Sequence, residues 1–197
     1  MGLIKGQLTF SRYRVVGDLP ASPRDFIDRQ IKLFAFKDLL SESEKIMGWT
    51  SLENVLDTDF EYANYLLDDY IIFSLRIDRK TVPAALLRLK ILEEERSRME
   101  EKGVERLYKA ERNDIRDAVR LNLLKRTPSV PSFYEVCWSL SGQWVIFGSH
   151  TEKVTDDFED LFKRTFDVKL IPSVPWNPSF MEPDMVTQIQ RLEREVS

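Results

Sequence analysis

The stretch from Thr81 to Arg126 constrains the fold most, because two long helical patterns flank a single glycine. Thr81 offers an N-cap, and Pro83 falls in the first turn, where a missing N–H costs nothing. From Pro83 to Leu92 the chain is apolar in nearly every direction. Leu86, Leu87, Leu89, Ile91 and Leu92 fit no single narrow face, which predicts a helix base buried in a core. Between Glu93 and Lys102 only Met99 is large and apolar, so the helix should leave that core as it runs on. Gly103 suits a helix C-terminus. Val104, Leu107, Tyr108, Ile115, Ala118 and Val119 then recur at threes and fours, a second helix. The simplest object is an antiparallel two-helix arm with Gly103 at its tip.

The arm is charged unlike the rest. Pro83 to Arg126 holds 12 Lys plus Arg against 9 Asp plus Glu, a net +3 in a chain of net −4. The excess sits mostly in the return helix. Lys109, Arg112, Arg116 and Arg120 fall within one quadrant of a helical wheel, and the three arginines stand at i, i+4 and i+8. Like charges at that spacing cost a few tenths of a kcal/mol per pair. Asp117 can relieve Arg120 at i+3, while little local acid relieves the other two. Lys125 and Arg126 extend the run. A polyanion such as duplex DNA is one reason to keep such a stripe. A solvated face, or arginines pairing with acids elsewhere in the chain, is the competing reason. If the four stripe residues each met a phosphate in both subunits of a dimer, log affinity would fall with log salt at a slope of about −7.

Composition narrows the class. A chain of 197 residues, 43% hydrophobic and 31% charged, suits one large soluble domain or two small ones. A pI near 5.3 confines any nucleic-acid surface to a patch. One cysteine excludes an internal disulfide framework and points to a reducing compartment. No apolar run approaches a membrane span, and the N-terminus has neither a signal-peptide core nor a myristoylation motif. The expectation is a cytoplasmic protein without membrane partners.

Around the arm, the pattern is mixed. Gln7–Val16 reads as a strand. Ser22 caps a helix started by Pro23, with Ile27, Ile31 and Phe34 inward. Met47-Gly48-Trp49 reads as a short extended segment. Tyr62–Leu67 and Tyr70–Asp78 read as strands joined at Asp68-Asp69. After the Pro128 and Pro131 connector, Phe133–Leu140 and Gln143–Ser149 form a hairpin turning at Ser141-Gly142, with Tyr134, Val136 and Trp138 on one face. Thr155 caps a helix to Phe166, and Asp167–Ile171 is a short strand. Pro172, Pro175 and Pro178 space a linker around Trp176. Pro183 starts a last helix with Met185, Ile189, Leu192 and Val196 on one face. This is an α+β plan of small antiparallel or mixed sheets with packed helices and a projecting two-helix arm. It divides into an N-terminal module over 1–80, the arm over 81–126 and a hairpin-helix module over 127–197.

The seven glycines stand apart, so no phosphate-cradling loop or dinucleotide fingerprint is present. One histidine and one cysteine cannot build a structural zinc site. His150 ends a hairpin, and Cys137 lies mid-strand as an inert thiol. One enzyme reading fits loosely. Asp167-Val168-Lys169, with Asp156 or Asp157 upstream, resembles the acid and acid-x-Lys pattern of metal-dependent nucleases, in which the acids hold a divalent ion. An acidic helix start before a strand carrying one lysine also produces it. The residues imply no cofactor and no resident metal.

The ordered string of elements resembles the bacterial recombination-associated RdgC family. The resemblance starts near Met47-Gly48-Trp49 and runs through the strand Tyr70–Ile77 and the helix entered at Pro83. Lys109-Ala110-Glu111-Arg112-Asn113-Asp114-Ile115-Arg116-Asp117 is similar to the family's lysine- and acid-rich return helix. The Trp138 strand, the Gly142 turn and the helix ending at Phe166 complete it. Familiar members continue well beyond the last helix here, so this resembles a short member without the usual C-terminal portion. The resemblance implies a nucleoid protein, a homodimer that binds double-stranded DNA without sequence preference and restrains a RecA-type recombinase. The alternatives are a protein-interaction module without DNA binding and, behind it, the metal-dependent nuclease. A dimer is expected on a second ground: a bare helix pair cannot bury Leu107, Ile115 and Val119, and the last helix carries its own apolar stripe.

Overall fold

Along β1 (Ser11–Val16), Tyr13 and Val15 turn inward while Arg12, Arg14 and Val16 turn outward, the two-residue period of a strand with one covered face. The same logic governs the sheet that β1 joins. The computed structural model describes residues 9–37, 43–60 and 65–173. In these residues β1 is followed by α1 (Pro23–Leu33), β2 (Lys45–Thr50), β3 (Leu66–Leu67), β4 (Tyr70–Arg79), α2 (Ala84–Lys102) and α3 (Lys109–Arg126). Then come β5 (Val130–Ser139), β6 (Trp144–Phe147), α4 (Glu152–Phe166) and β7 (Lys169–Pro172). The protein is α+β. The strands that local pattern assigns to separate small sheets join one seven-stranded sheet, in the order β2-β4-β5-β6-β1-β7 with β3 on β4. β1 pairs antiparallel with β6 and β7, β3 with β4, and β5 with β6. The linker around Trp176 and the helix from Pro183 lie outside the described residues.

The chain forms two compact units. Met1–Ala35, Gly48–Leu75 and Phe133–Ser197 make the first, and Phe36–Met47 with Arg76–Ser132 the second.

An aromatic core holds the first unit. Val154, Phe158, Leu161, Phe162, Thr165 and Phe166 recur at threes and fours along α4 and are all buried. They meet Trp49, Phe73, Trp138 and Phe147 from the sheet, none of them more than 1% exposed. Phe158 stacks flat on Phe147 with centroids 4.0 Å apart, and Phe162 lies edge-on to Trp138 at 5.0 Å. The Trp49 indole N–H donates to Thr165 Oγ1 at 2.9 Å, and the Thr165 hydroxyl donates onward to the Leu161 carbonyl at 2.7 Å. The Trp49 and Thr165 polar groups are thereby satisfied, as burial demands. α4 starts one turn earlier than Thr155, from an N-cap at Thr151.

Asp69 fixes the β5–β6 turn. Its carboxylate accepts the Ser139 and Ser141 hydroxyls at 2.7 and 2.8 Å and the Ser141 N–H at 2.9 Å. Those donors, Ser139 first, hold its pKa below the usual carboxylate value. A depressed carboxylate stabilises the fold above its unfolded-state pKa, and that contribution is lost as pH falls through the folded value. In Asp69→Ala, melting temperature should therefore vary less with pH below about 4 than in the wild type. Parallel acid limbs in the two proteins would refute the assignment.

The second unit carries the arm. Its attachment is polar: buried Asp78 accepts Arg76 through two nitrogens at 2.7 and 2.9 Å and the Ser129 hydroxyl at 3.1 Å, while the Arg76 guanidinium lies 3.9 Å from the Phe36 ring centroid. Gly103 ends α2 at φ +64°, and its N–H reaches the Glu100 and Met99 carbonyls. Lys102 pairs with Glu111, which also accepts the Tyr108 N–H at 3.1 Å, so the two helix ends are tied together.

Two expectations about the arm need correction. Pro83 takes the N-cap position, and α2 begins at Ala84. More importantly, α2 buries no residue at all. Leu86, Leu89 and Leu92 remain 40%, 53% and 57% exposed. The apolar run from Pro83 to Leu92 is not a buried helix base. It is a helix with one apolar side uncovered. The return helix starts at Lys109, leaving Val104 and Tyr108 exposed in the connector, while Leu107 is buried there.

Candidate nucleic-acid interface

α3 places its residues by its two ends and one side. Glu111 in its first turn and Lys125 and Arg126 in its last turn suit the helix dipole. Ile115 is buried, and Glu111, Asp114, Ile115, Ala118 and Asn122 line the cleft against Glu94, Arg98 and Lys102 of α2. At about 100° per residue, that lining side lies roughly 140° from the middle of the stripe Lys109, Arg112, Arg116 and Arg120. The stripe is thus turned away from α2, and all four residues are exposed. Lys125 and Arg126 are exposed as well, but the same arithmetic puts Lys125 about half a turn and Arg126 about a quarter turn from the stripe. The structure brings four of the six expected cations onto one face.

Those four are not equivalent. Arg120 is held by Glu44, 76 residues away in sequence, with Nε 3.1 Å from Oε1. Glu44, rather than the Asp117 suggested by i+3 spacing, relieves it. Glu44 also presents its backbone carbonyl to the Lys80 N–H at 2.9 Å. Lys109, Arg112 and Arg116 have no ion-pair partner among the described residues. On α2, Lys90, Arg96 and Arg98 pair with glutamates three or four residues away, while Arg88 has no ion-pair partner among the described residues. Three cations with no ion-pair partner among the described residues thus share one side of α3, where Arg112 and Arg116 repel each other at i, i+4.

The nuclease constellation is not assembled. Asp156 and Asp157 lie in the first half of α4, whereas Asp167 is its C-cap in the left-handed conformation at φ +54°. Eleven residues of helix separate Asp156 from Asp167, roughly 16 Å. Lys169 is on β7, exposed. Among the described residues no three His, Cys, Asp or Glu side chains come together as a metal site. Cys137 is half-buried, and burial raises its thiol pKa.

Sequence pattern overlooked one cluster. Arg12 and Arg14 leave β1 on the uncovered side of the sheet beside Trp144 of β6, the Arg12 guanidinium 5.6 Å from the indole centroid. Alternation in 7–16 was the available signal, but only strand pairing shows what stands next to it.

Fold and site together define an α+β protein whose candidate interface is a cationic helix face. A family model described as "Putative exonuclease, RdgC" matches residues 9–187, and the chain belongs to the RdgC family. A search of curated proteins finds no match. Among the described residues, no helix is long and apolar enough to cross a membrane.

Proposed function

We propose that this chain is a non-catalytic, recombination-associated protein of the nucleoid that binds double-stranded DNA without sequence preference. The observation that carries the reading is the solvent-facing row Lys109, Arg112 and Arg116, without an ion-pair partner among the described residues, in a chain of net charge −4. Phosphate contacts of this kind position a protein on duplex without reading bases. Occupied duplex is closed to other proteins, which is how such binding would restrain a RecA-type recombinase. Mobility shift on plain and scrambled duplexes tests it: the two should bind alike, and a strong preference for one sequence would contradict the reading.

The binding form is a homodimer, but not for the first reason that the sequence suggests. Leu107 and Ile115 are already buried, at 4% and 5% exposure. The surface that lacks cover is the Leu86, Leu89 and Leu92 side of α2. It lies on the helix side opposite Glu94, Arg98 and Lys102, which face α3. A two-fold contact through this side buries the leucine row of one copy against that of the other. Light scattering should show a dimer at tens of micromolar. Leu89→Glu with Leu92→Glu should give a folded monomer whose melting temperature no longer depends on protein concentration. A monomeric wild type would refute the dimer.

The family description keeps the nuclease in view as a second reading. Magnesium-dependent loss of DNA, abolished by Asp167→Asn, would establish it in place of the first.

A further inference from the structure

We propose that the sheet face of the first unit left open by the described elements binds single-stranded DNA, at a site separate from α3. The inference does not rest on the duplex reading. It starts from strand register. Arg14 of β1 lies between Trp144 of β6 and Ile171 of β7, and Arg12 between Ile146 and the start of the segment after β7, where the Ser173 N–H donates to the Arg12 carbonyl at 2.7 Å. Lys169 pairs with Val16, next along the same side. Arg12, Arg14 and Lys169 therefore form a cationic row with steps of about 7 Å along the strand direction. All three are exposed.

Beside this row stand aromatic rings. Trp144 is half-buried, with the Tyr70 ring 6.0 Å from its own and Tyr70 itself exposed. Arg12, Arg14, Gly142, Gln143, Trp144 and Ser173 line a cleft of about 340 Å³. Asp69, the acid next to Tyr70, is committed to Ser139 and Ser141. Cations that follow a backbone, next to rings that offer a stacking surface, are the two elements of single-strand recognition. The choice against duplex is physical. A paired base hides both faces against its neighbours in the stack, whereas an unpaired base can lay one face on Trp144 as the Arg12 guanidinium, 5.6 Å from that ring, turns to the phosphate.

The test uses the full chain and a fluorescein-labelled dT12, read by anisotropy and by indole emission. Binding should quench indole emission. Trp144→Ala should weaken dT12 binding about tenfold, the loss expected for one stacked base, while Trp144→Phe should retain most of it. Arg12→Gln with Arg14→Gln should flatten the salt slope by about 1.4 units, two phosphates on a single strand. Duplex affinity should be unchanged in all three variants, and Arg112→Gln with Arg116→Gln should leave dT12 binding intact. Melting temperatures confirm that each variant is folded. The proposal is overturned if Trp144→Ala binds dT12 as tightly as wild type, or if dT12 binding falls with the α3 changes.

Discussion

Changing Arg112 and Arg116 together to Gln should weaken duplex binding about four-thousandfold at 0.1 M salt and leave the protein folded. Both side chains are exposed and have no ion-pair partner among the described residues, and they stand one turn apart on α3. In a dimer the change removes four phosphate contacts. Each contributes about 0.9 to the log–log salt slope, so about 3.6 units of slope disappear, and with them the corresponding affinity one decade below 1 M. Glutamine is nearly as good a helix former as arginine. Two like-charge repulsions, Arg112 with Arg116 and Arg116 with Arg120, are relieved at a few tenths of a kcal/mol each. Melting temperature should hold or rise slightly. A variant that unfolds but keeps its residual affinity would mean that the arginines serve the fold.

The largest stability effect is expected in the other unit. Phe162 is fully buried, and its ring centroid lies 4.8 Å from Phe166, 5.0 Å from Trp138 and 5.4 Å from Phe158. Surrounding rings are stiff and hold one another apart, so a hole left by Phe162→Ala closes poorly. Such a truncation costs about 3–5 kcal/mol. At about 2–4 °C per kcal/mol for a chain of this size, the melting temperature should fall by roughly 10–15 °C. Leu86→Ala, on an exposed site, should move it by less than about 2 °C. A drop at Phe162 no larger than that at Leu86 would show that the aromatic cluster does not hold the fold.

Where the sequence was legible, local physics sufficed. The inward positions of α4 follow from helical period. Trp49 in an extended segment, the apolar β4 and the left-handed Gly103 cap could each be read within about ten residues. The rest depends on partners far along the chain. One sheet and several small ones have the same local alternation, and only pairing separates them. The leucines of α2 were expected in a core because apolar residues usually find one. Here the described part of the chain provides no element to cover Leu86, Leu89 and Leu92. The return helix begins after Tyr108 because Glu111 reaches back to the Tyr108 N–H, a contact that the period of Val104 and Leu107 could not reveal. Glu44 takes Arg120 from 76 residues away, and this shortens the candidate site from four cations to three. Trp144 beside Arg12 and Arg14 has no local signature at all.

That loss of Arg120 gives the duplex reading its sharpest form. Three stripe cations per chain with no ion-pair partner among the described residues, six per dimer, should each release about 0.9 counterion. Duplex affinity measured from 50 to 300 mM salt should therefore fall with a log–log slope of about −5, alike for scrambled sequences, and shallower than the value near −7 that all four stripe residues would give. A slope near zero, with binding retained, would contradict phosphate contact by Lys109, Arg112 and Arg116.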